Sequence, residues 1–335
     1  MGNSVIESRK KDHVDFVVRE GAQYSKSSGF DQYDFVHNSL PELAFDKINL
    51  SMKFFGKKLS APMIITGMTG GYASAERINH DLASVAQKYG IAFGLGSQRA
   101  MIETPSLLKT FKVRDVAPDI PIIGNIGGVQ LVKYGLDVVE KMLSVVDADA
   151  LAIHLNPLQE IIQPEGDKDY RGVLKAIELV SEKLSLPVIV KETGAGIGTP
   201  VVERLHSAGV EWVDVSGSGG TSWSKVEYAR SKNTNTVQGF DDWGNPTVEC
   251  ILECRDRFKI IASGGIRDGI AGAKAIAFGA RMYGAAYPFI KAATESETRL
   301  DEVLSLFIKQ TKICAYLTGS SDYEELRKAK LRMLA

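Results

Sequence analysis

The chain has 335 residues, of which 44% are hydrophobic and 24% charged, and its formal net charge is −1 at pH 7. This composition is typical of a soluble globular protein, and the near-neutral charge gives no support for a nucleic-acid partner or a polybasic membrane anchor. No run of about 18 uncharged apolar residues occurs, so the sequence predicts no transmembrane helix.

The cysteines and the N-terminus indicate where the protein works. Cys250, Cys254 and Cys314 have no spacing typical of metal ligands. An odd and sparse count argues against a disulfide framework and fits a reducing compartment. The first residues, MGNSVIESRKKDHVDF, lack the apolar run of a secretory signal. We therefore expect a cytoplasmic protein.

Residues 1–60 precede the repeated pattern that fills the rest of the chain, and we predict an N-terminal extension there. The polar and aromatic segment 19–35 is a candidate flap. Segment 48–60 alternates apolar and polar residues around Gly56, which predicts a β-hairpin that leads into the remainder of the domain.

From residue 62 onward, short apolar runs that predict strands alternate with amphipathic segments that predict helices. The predicted strands cover residues 62–71, 92–99, 121–128, 150–157, 187–196, 212–220, 260–267 and 282–288. The predicted helices include residues 75–90, 199–209 and 271–280. Segment 226–244 is long and polar and is a candidate lid. A last helix pair is predicted near residues 299–334.

Eight strand–helix units in succession are typical of a closed parallel barrel. We predict a single α/β domain over residues 1–335, in which the extension 1–60 is followed by a TIM (β/α)8 barrel over residues 61–335. The alternative is a six-stranded doubly wound sheet, which would leave two units unplaced. The first strand is also followed by TGMTGG, which does not match the dinucleotide-binding pattern G-x-G-x-x-G.

In such a barrel, the carboxyl ends of all eight strands share one mouth, where active sites lie. The residues at these ends are therefore expected to be neighbours in space. They are rich in hydrogen-bonding groups and comprise Thr66, Gly67, Met68, Ser97, Gln98, Arg99, Asn125, His154, Asn156, Gln159, Glu160, Lys191, Glu192, Ser216, Thr221, Trp223, Arg267, Ala285 and Ala286.

The loops after the seventh and eighth strands form the usual phosphate site of these barrels. Ser263, Gly264 and Gly265 offer closely approaching backbone N–H groups, and Arg267 offers a bidentate partner. These features indicate a bound cofactor phosphate. Taken alone, the two glycines are equally explained by a simple turn between strand and helix.

Backbone groups of residues 66–68, the amide of Asn125 and the ammonium of Lys191 follow the first, third and fifth strands. Together they suit the polar edge of an isoalloxazine ring, since a cation near that edge stabilises reduced, anionic flavin. The alternative is a Schiff-base lysine, as in aldolase-like barrels. It would leave the amide and the phosphate features without a role.

Six motifs together resemble one family, the type 2 isopentenyl-diphosphate isomerases. These are FMN-dependent barrels that interconvert isopentenyl and dimethylallyl diphosphate, and the resemblance runs from about residue 9 to the last helix. The motifs are RKKDHV (9–14), MTGG (68–71), GSQR (96–99), HLNPLQE (154–160), GGTSW (219–223) and SGGIR (263–267).

The resemblance implies a role for each matched position. FMN contacts are implied at Thr66, Gly67, Met68, Ser97, Asn125, Lys191, Ser216, Thr221, Gly265, Ile266, Arg267, Ala285 and Ala286. Substrate contacts are implied at Arg9, Lys10, Ser97, Gln98, Arg99 and Gln159, with Glu160 binding Mg²⁺. His154, Asn156 and Trp223 fall in motifs that line the same pocket. The resemblance also implies that the flavin must be reduced, and NADPH or NADH normally reduces it. It further implies assembly as homotetramers or homo-octamers.

Some of these residues also fit simpler roles. The run 9–11 is consistent with a solvated surface, Glu160 with a carboxylate at a helix start, and Trp223 with simple packing. Two other classes of FMN enzyme are alternatives, but the chain lacks the signature of each. A hydroxyacid oxidase would carry an H-x-x-R pair near the seventh strand. A nucleotide dehydrogenase would carry a nucleophilic cysteine in the loop after the sixth strand. A non-catalytic flavin- or phosphate-binding protein is the third possibility.

Overall fold

A computed structural model describes residues 10, 12–18, 22–230 and 239–334. Its central element is a closed barrel of eight parallel strands: β4 Met63–Ile65, β5 Ala92–Gly94, β6 Ile122–Gly127, β7 Ala150–Leu155, β8 Val188–Glu192, β9 Trp212–Asp214, β10 Lys259–Ala262 and β11 Met282–Ala285. They are hydrogen-bonded in the order β10-β11-β4-β5-β6-β7-β8-β9. This confirms the predicted TIM barrel and all eight predicted strands.

Helices surround the barrel and connect its strands. They are α1 Ala75–Tyr89, α2 Arg99–Glu103, α3 Gly128–Val145, α4 Pro157–Ile162, α5 Val173–Lys183, α6 Thr199–Ser207, α7 Trp223–Arg230, α8 Thr247–Cys254, α9 Gly269–Ala277, α10 Tyr287–Glu295, α11 Glu297–Thr318 and α12 Tyr323–Leu326. Residues 12–18 are also helical. Single 3-10 turns lie at Phe30–Gln32 and Phe45–Lys47, and a longer 3-10 segment at Pro105–Thr110.

Helix α1 illustrates why these segments are helical. Ile78, Leu82 and Val85 recur at helical spacing and are all buried, so one face of the helix packs on the barrel while the other faces solvent. The helix ends at Gly90, which adopts the left-handed conformation (φ 61°) that glycine tolerates best. Helix α9 begins after Asp268, whose carboxylate accepts a hydrogen bond from the N–H of Ala271.

The predicted hairpin of segment 48–60 is present as β2 (Met52–Phe54) and β3 (Lys57–Leu59), which pair antiparallel. Phe54 and Leu59 are buried in an apolar cluster with inward-facing barrel residues such as Ile123 and Ile189. These come from the amino-terminal halves of the strands, so the hairpin covers the end of the barrel opposite the strand carboxyl ends.

Two segments distant in the chain also meet in a small sheet. β1 (Tyr33–Phe35) pairs antiparallel with β12 (Leu331–Met333). The prediction of a last helix pair near 299–334 is therefore wrong in part, because the long helix α11 is followed by only one short helical turn and then a strand. Strand β12 has no hydrophobic pattern of its own and is extended because β1 supplies its hydrogen-bond partners.

The candidate flap and the candidate lid both lie beside the barrel mouth. In the candidate flap, residues 19–21 lie outside the described residues, and Tyr24 donates a backbone hydrogen bond to the carbonyl of Gly220 (2.8 Å). In the candidate lid, the first residues belong to α7, residues 231–238 lie outside the described residues, and the carbonyl of Trp243 accepts a hydrogen bond from the hydroxyl of Tyr24 (2.8 Å). The two segments are thus in contact.

Candidate active site

A cavity of about 220 Å³ lies at the carboxyl ends of the barrel strands. Of the predicted site residues, Arg9 lies outside the described residues, and Gln98 and Glu192 do not line the cavity. All the others do: Lys10, Thr66, Gly67, Met68, Ser97, Arg99, Asn125, His154, Asn156, Gln159, Glu160, Lys191, Ser216, Thr221, Trp223, Gly265, Ile266, Arg267, Ala285 and Ala286. The fold therefore brings the ends of all eight barrel strands and the N-terminal Lys10 to one space.

The loop after β10 is shaped by its two glycines. Gly264 and Gly265 have φ values of 97° and 71°, a region that side-chain-bearing residues rarely adopt. A Cβ on Gly264 would also overlap the carbonyl oxygen of Gly217. Because both positions exclude a side chain, the backbone of this loop can come close to the cavity and to any ligand within it.

Arg267 follows this loop and reaches the cavity. Its guanidinium carbon lies 4.8 Å from the centroid of the Tyr287 ring, and its Nη2 donates to Oε1 of Gln23. Its surface is open to the cavity, yet the surrounding protein desolvates it and lowers the pKa of its guanidinium. Within the described part of the chain it has no carboxylate partner at ion-pair distance. A phosphate is the ligand that would complete this environment.

A chain of buried amides fixes the imidazole of His154. Asn125 Nδ2 donates to the carbonyl of Leu95 (3.0 Å), so its Oδ1 is the atom that accepts from Nδ1 of His154 (2.9 Å). This assigns the proton to Nδ1 and leaves Nε2 as an acceptor. Burial, reinforced by the charges of Lys191 and Lys10, lowers the pKa of His154 to about 3. The ring is therefore neutral at physiological pH.

Two residues are placed differently from the prediction. Glu192 is buried, and its carboxylate accepts from the backbone N–H groups of residues 193 and 194. The other is Gln98. Its side chain is fully buried, accepts a hydrogen bond from the backbone N–H of Asn125 (2.8 Å) and donates to the sulfur of Met101 (3.4 Å). It thus supports Asn125 from behind and does not face the cavity. The motif GSQR does not reveal this, because the turn that begins α2 decides which of its side chains points inward.

The neutral state of His154 leads to a prediction for stability. Its pKa is lower in the folded protein than the ordinary 6.5, so its contribution to stability is complete above pH 6.5 and is lost as the pH falls towards 3. The variant His154→Gln keeps a donor for Asn125 but does not titrate. Between pH 6.5 and 4, its free energy of unfolding should fall less steeply than that of the wild type, by up to about 1.4 kcal/mol per pH unit.

Chemical denaturation of both proteins at several pH values measures this difference. The contributions of the other titratable groups are common to both proteins and cancel in the comparison. Parallel pH dependences for the two proteins would show that His154 does not titrate abnormally.

Lys191 projects into the cavity from the end of β8. Its ammonium donates to the carbonyl of Glu192 (2.6 Å). Beside it, the buried carboxylate of Asp214 accepts from the hydroxyl of Ser263 (2.6 Å) and the N–H of Ser216 (3.3 Å). Burial raises the pKa of Asp214, although the charge of Lys191 partly opposes this. The lysine is thus held in place by the backbone at its own strand end.

Gln159 and Glu160 lie in the first turn of α4, which begins at Pro157. Both accept a hydrogen bond from Nδ2 of Asn156 (3.1 and 3.0 Å), and each also has a partner of its own. The amide of Gln159 donates to Oε1 of Glu227 (2.8 Å). The carboxylate of Glu160 accepts from the backbone N–H of Asp167 (2.7 Å) and from Nδ2 of Asn156 (3.0 Å). The two adjacent side chains therefore also reach different segments, α7 for Gln159 and the turn at Asp167 for Glu160.

Glu227 is a site residue that the sequence analysis missed. It is fully buried, and its carboxylate lies 2.9 Å from Nε2 of His13 and 3.0 Å from Nε of Arg230. Burial opposes its ionisation, but the hydrogen bonds from His13 and Gln159 and the charge of Arg230 outweigh burial and lower its pKa to about 2. His13, which lines the cavity, also packs edge-on against Trp223 (5.2 Å between ring centroids). The motif RKKDHV contains His13, but nothing in the sequence distinguishes Glu227 from other glutamates.

Cationic groups cluster on the side of the cavity near α2. Arg99 is paired with Glu103 and Asp167, at 3.0 Å each. The ammonium of Lys10 donates to the carbonyl of Ser97 (2.7 Å) and lies 5.3 Å from the centroid of the Phe111 ring. This side of the cavity is suited to a ligand with several negative charges.

Glu160 is the predicted metal ligand and lines the same side of the cavity. Among the described residues there is no group of three histidine, cysteine or acidic side chains that could hold a metal by themselves. A metal bound to Glu160 would therefore take its other ligands from water and substrate. Proteins commonly bind Mg²⁺ in this way, because the ion keeps several waters and is shared with the phosphates of the substrate.

Comparison with known proteins identifies close relatives over nearly the whole chain. The chain is 46% identical over 333 residues to an isopentenyl-diphosphate delta-isomerase of Rickettsia rickettsii (strain Sheila Smith), with 97% of each chain covered. It is 44% identical over 329 residues to the isopentenyl-diphosphate delta-isomerase of a Nostoc species (strain PCC 7120), with 96% and 94% covered. Residues 165–333 match a family model described as FMN-dependent dehydrogenase.

Solved structures with a similar fold are more distant in sequence. An arginine-to-lysine mutant of flavocytochrome b2 superposes with a TM-score of 0.71 at 16% identity, covering 96% of this chain and 82% of that chain. A mandelate oxidase mutant with (S)-mandelic acid gives a TM-score of 0.68 at 16% identity, covering 99% and 98%. At this identity the likeness shows the barrel fold alone.

None of the helices in the part of the chain that the structure describes has both the length and the apolar character of a membrane span.

Proposed function

This chain belongs to the isopentenyl-diphosphate delta-isomerase family, and from that premise we propose that it interconverts isopentenyl and dimethylallyl diphosphate in isoprenoid biosynthesis. The reaction is a 1,3-proton shift, with reduced FMN as acid–base cofactor and Mg²⁺ as metal. The observation that carries the proposal is that the motif residues described above converge on one cavity, with a phosphate-type site at one end and a cationic cluster near α2.

The chemistry explains why a cofactor is needed. Moving a double bond requires protonation of an unactivated alkene at one carbon and removal of a proton from another. No side chain of ordinary pKa is a strong enough acid for the first step, and the imidazole of His154 is neutral. Reduced FMN, when bound, supplies a proton donor and acceptor of a different kind.

FMN fits the cavity through the groups at its strand ends. The loop of Gly264 and Gly265 and the guanidinium of Arg267 would hold the phosphate. The amide of Asn125 and the ammonium of Lys191 would face the polar edge of the ring. The match of residues 165–333 to the FMN-dependent dehydrogenase model also favours this assignment over a Schiff base on Lys191.

The diphosphate of the substrate would lie on the opposite, cationic side. Lys10 and Arg99 supply positive charge there, Glu160 would bind Mg²⁺, and Arg9 would add a further cation. Gln159, held by Glu227, would face the hydrocarbon part. Trp223, beside His13, offers an aromatic face to the cation-like transition state.

Other parts of the proposal concern the working form of the enzyme. NADPH or NADH would supply the reduction of FMN, and the chain would assemble as a homotetramer or homo-octamer. We propose a cytoplasmic location, which is supported by the three free, buried cysteines.

Two measurements test the cofactor assignment. Denaturation of the wild type should release FMN and no FAD, because the site is built for one phosphate. In the variant Arg267→Ala, loss of a charged hydrogen-bond donor should weaken FMN binding roughly ten- to hundredfold, the effect of removing one such bond. Absorbance of the purified proteins and titration of the cofactor-free proteins with FMN measure this.

A matched control is Arg299→Ala, since Arg299 is exposed at the start of α11 and should leave FMN affinity unchanged. Release of FAD, or full FMN affinity in Arg267→Ala, would contradict the assignment of the phosphate to this loop.

A further inference from the structure

We propose that Asp167 is a positioning residue that orients Arg99 for the substrate diphosphate, and that its backbone at the same time orients Glu160. This inference rests on the proposed function, because it assigns Asp167 a part in the same binding site. Asp167 lies in the segment 163–169, between helices α4 and α5, and it does not itself line the cavity.

The side chain of Asp167 fixes one edge of the Arg99 guanidinium. Its Oδ2 accepts from Nη1 of Arg99 (3.0 Å) and from Nε2 of Gln130 (2.8 Å). Glu103 accepts from Nε of Arg99 (3.0 Å). Within the described residues, Nη2 of Arg99 makes no hydrogen bond, and Arg99 lines the cavity. Two carboxylates therefore hold the guanidinium plane while its remaining donors are left for a ligand.

The backbone of Asp167 bonds to the proposed metal ligand. Its N–H donates to Oε2 of Glu160 (2.7 Å). This contact depends on a tight turn, in which the N–H of Gly166 donates to the carbonyl of Gln163 (3.0 Å). A Cβ on Gly166 would overlap the carbonyl oxygen of Glu160. The glycine thus lets the segment return to helix α4 and place Asp167 beside both Arg99 and Glu160.

Electrostatics decides whether Asp167 acts directly or through Arg99. Asp167 does not line the cavity, and a carboxylate that touched the diphosphate without a metal between them would repel it, so its role is assigned through Arg99. A planar guanidinium, by contrast, binds an anion better when its orientation is fixed beforehand, because less side-chain freedom is lost on binding. Asp167 is therefore expected to improve substrate binding only when Arg99 is present.

The experiment is a double-mutant cycle in the FMN-bound, reduced enzyme with isopentenyl diphosphate as substrate. Asp167→Ala should raise KM about tenfold, with kcat within about twofold and FMN content unchanged, since one charge-assisted hydrogen bond is lost. In the Arg99→Ala background, the same substitution should leave KM unchanged. Asp167→Asn, which keeps an acceptor oxygen, should recover part of the affinity. The magnesium concentration for half-maximal activity should be unchanged in Asp167→Ala, because its backbone N–H remains.

The control is Asp169→Ala, two residues further along the same segment. Among the residues that the structure describes, its carboxylate pairs only with the exposed Arg171, and its KM should equal that of the wild type. An unchanged KM in Asp167→Ala would overturn the inference. A lower KM would overturn it too, because it would show that Asp167 competes with the substrate for Arg99. An equal rise in both backgrounds would overturn it as well. If Arg99→Ala itself left KM unchanged, the diphosphate site of the proposed function would be wrong, and the inference with it.

Discussion

The variant Glu160→Gln is expected to lose about 2–4 kcal/mol in catalytic efficiency, or roughly 30- to 1,000-fold in kcat/KM, the range for removal of one strong electrostatic partner of a reacting group. Glutamine keeps the size of the side chain but loses its charge, which is what binds a hard cation such as Mg²⁺. The variant should also need far more Mg²⁺ for half-maximal activity, while it retains its fold and its FMN.

Magnesium titrations of the wild type and the variant measure this effect directly. Glu178→Gln is a suitable control, because Glu178 lies on the exposed face of α5 and has no proposed role as a ligand. A Glu160→Gln enzyme with the wild-type magnesium dependence would show that Glu160 is only a carboxylate at a helix start, held by Asn156 and the N–H of Asp167.

Redox state is expected to have the largest effect of all. With air-oxidised FMN the enzyme should be silent, and dithionite or NADPH should activate it without net reduction of the substrate. The physical reason is that the proposed acid must protonate an unactivated alkene, which no side chain of ordinary pKa can do. Neither His154, which is neutral, nor Glu227, which is ionised, supplies such an acid. Anaerobic assays of the oxidised and the reduced enzyme measure this difference.

The control for this prediction is the cofactor-free protein treated with dithionite, which should also be inactive. It separates the requirement for reduced FMN from a direct effect of the reductant. Equal turnover by the oxidised enzyme would refute the acid–base role given to reduced FMN.

The barrel could be predicted from the sequence because its signals are local. Each strand is a short apolar run that ends in polar or glycine-rich residues, and each is followed by a helix with one apolar face, as in α1. Strand β12 could not be predicted in this way. Its partner β1 lies about 300 residues away in the chain, and the pairing of Tyr33 with Met333 leaves no periodic pattern in either segment.

The same distinction applies to the site. Residues at strand ends, such as Asn125 and Lys191, are placed in the cavity by the topology alone, and so they could be named from the sequence. Glu227 enters the site through the packing of α7 against α4, which no local pattern encodes. Gln98 is predicted in the cavity because it follows the second strand and belongs to the motif GSQR, but the turn into α2 buries its side chain.

The distant barrel relatives show why the fold does not determine the reaction. Flavocytochrome b2 and mandelate oxidase share the barrel at 16% identity, and a common barrel supports many chemistries. In the proposed function, the residues that would hold a diphosphate, Arg99, Lys10 and Glu160, lie on the cationic side of the cavity. Tests of the proposed function are therefore most informative there and at the flavin.

The central claim is that reduced FMN takes part in a redox-neutral isomerisation, and product stoichiometry tests it most directly. The FMN-bound enzyme is reduced anaerobically, excess reductant is removed, and isopentenyl diphosphate is added while the flavin spectrum and the products are followed. The account predicts many molecules of dimethylallyl diphosphate per enzyme, with the flavin still reduced at the end. Oxidation of one flavin for each molecule of substrate consumed, with a reduced product, would contradict it.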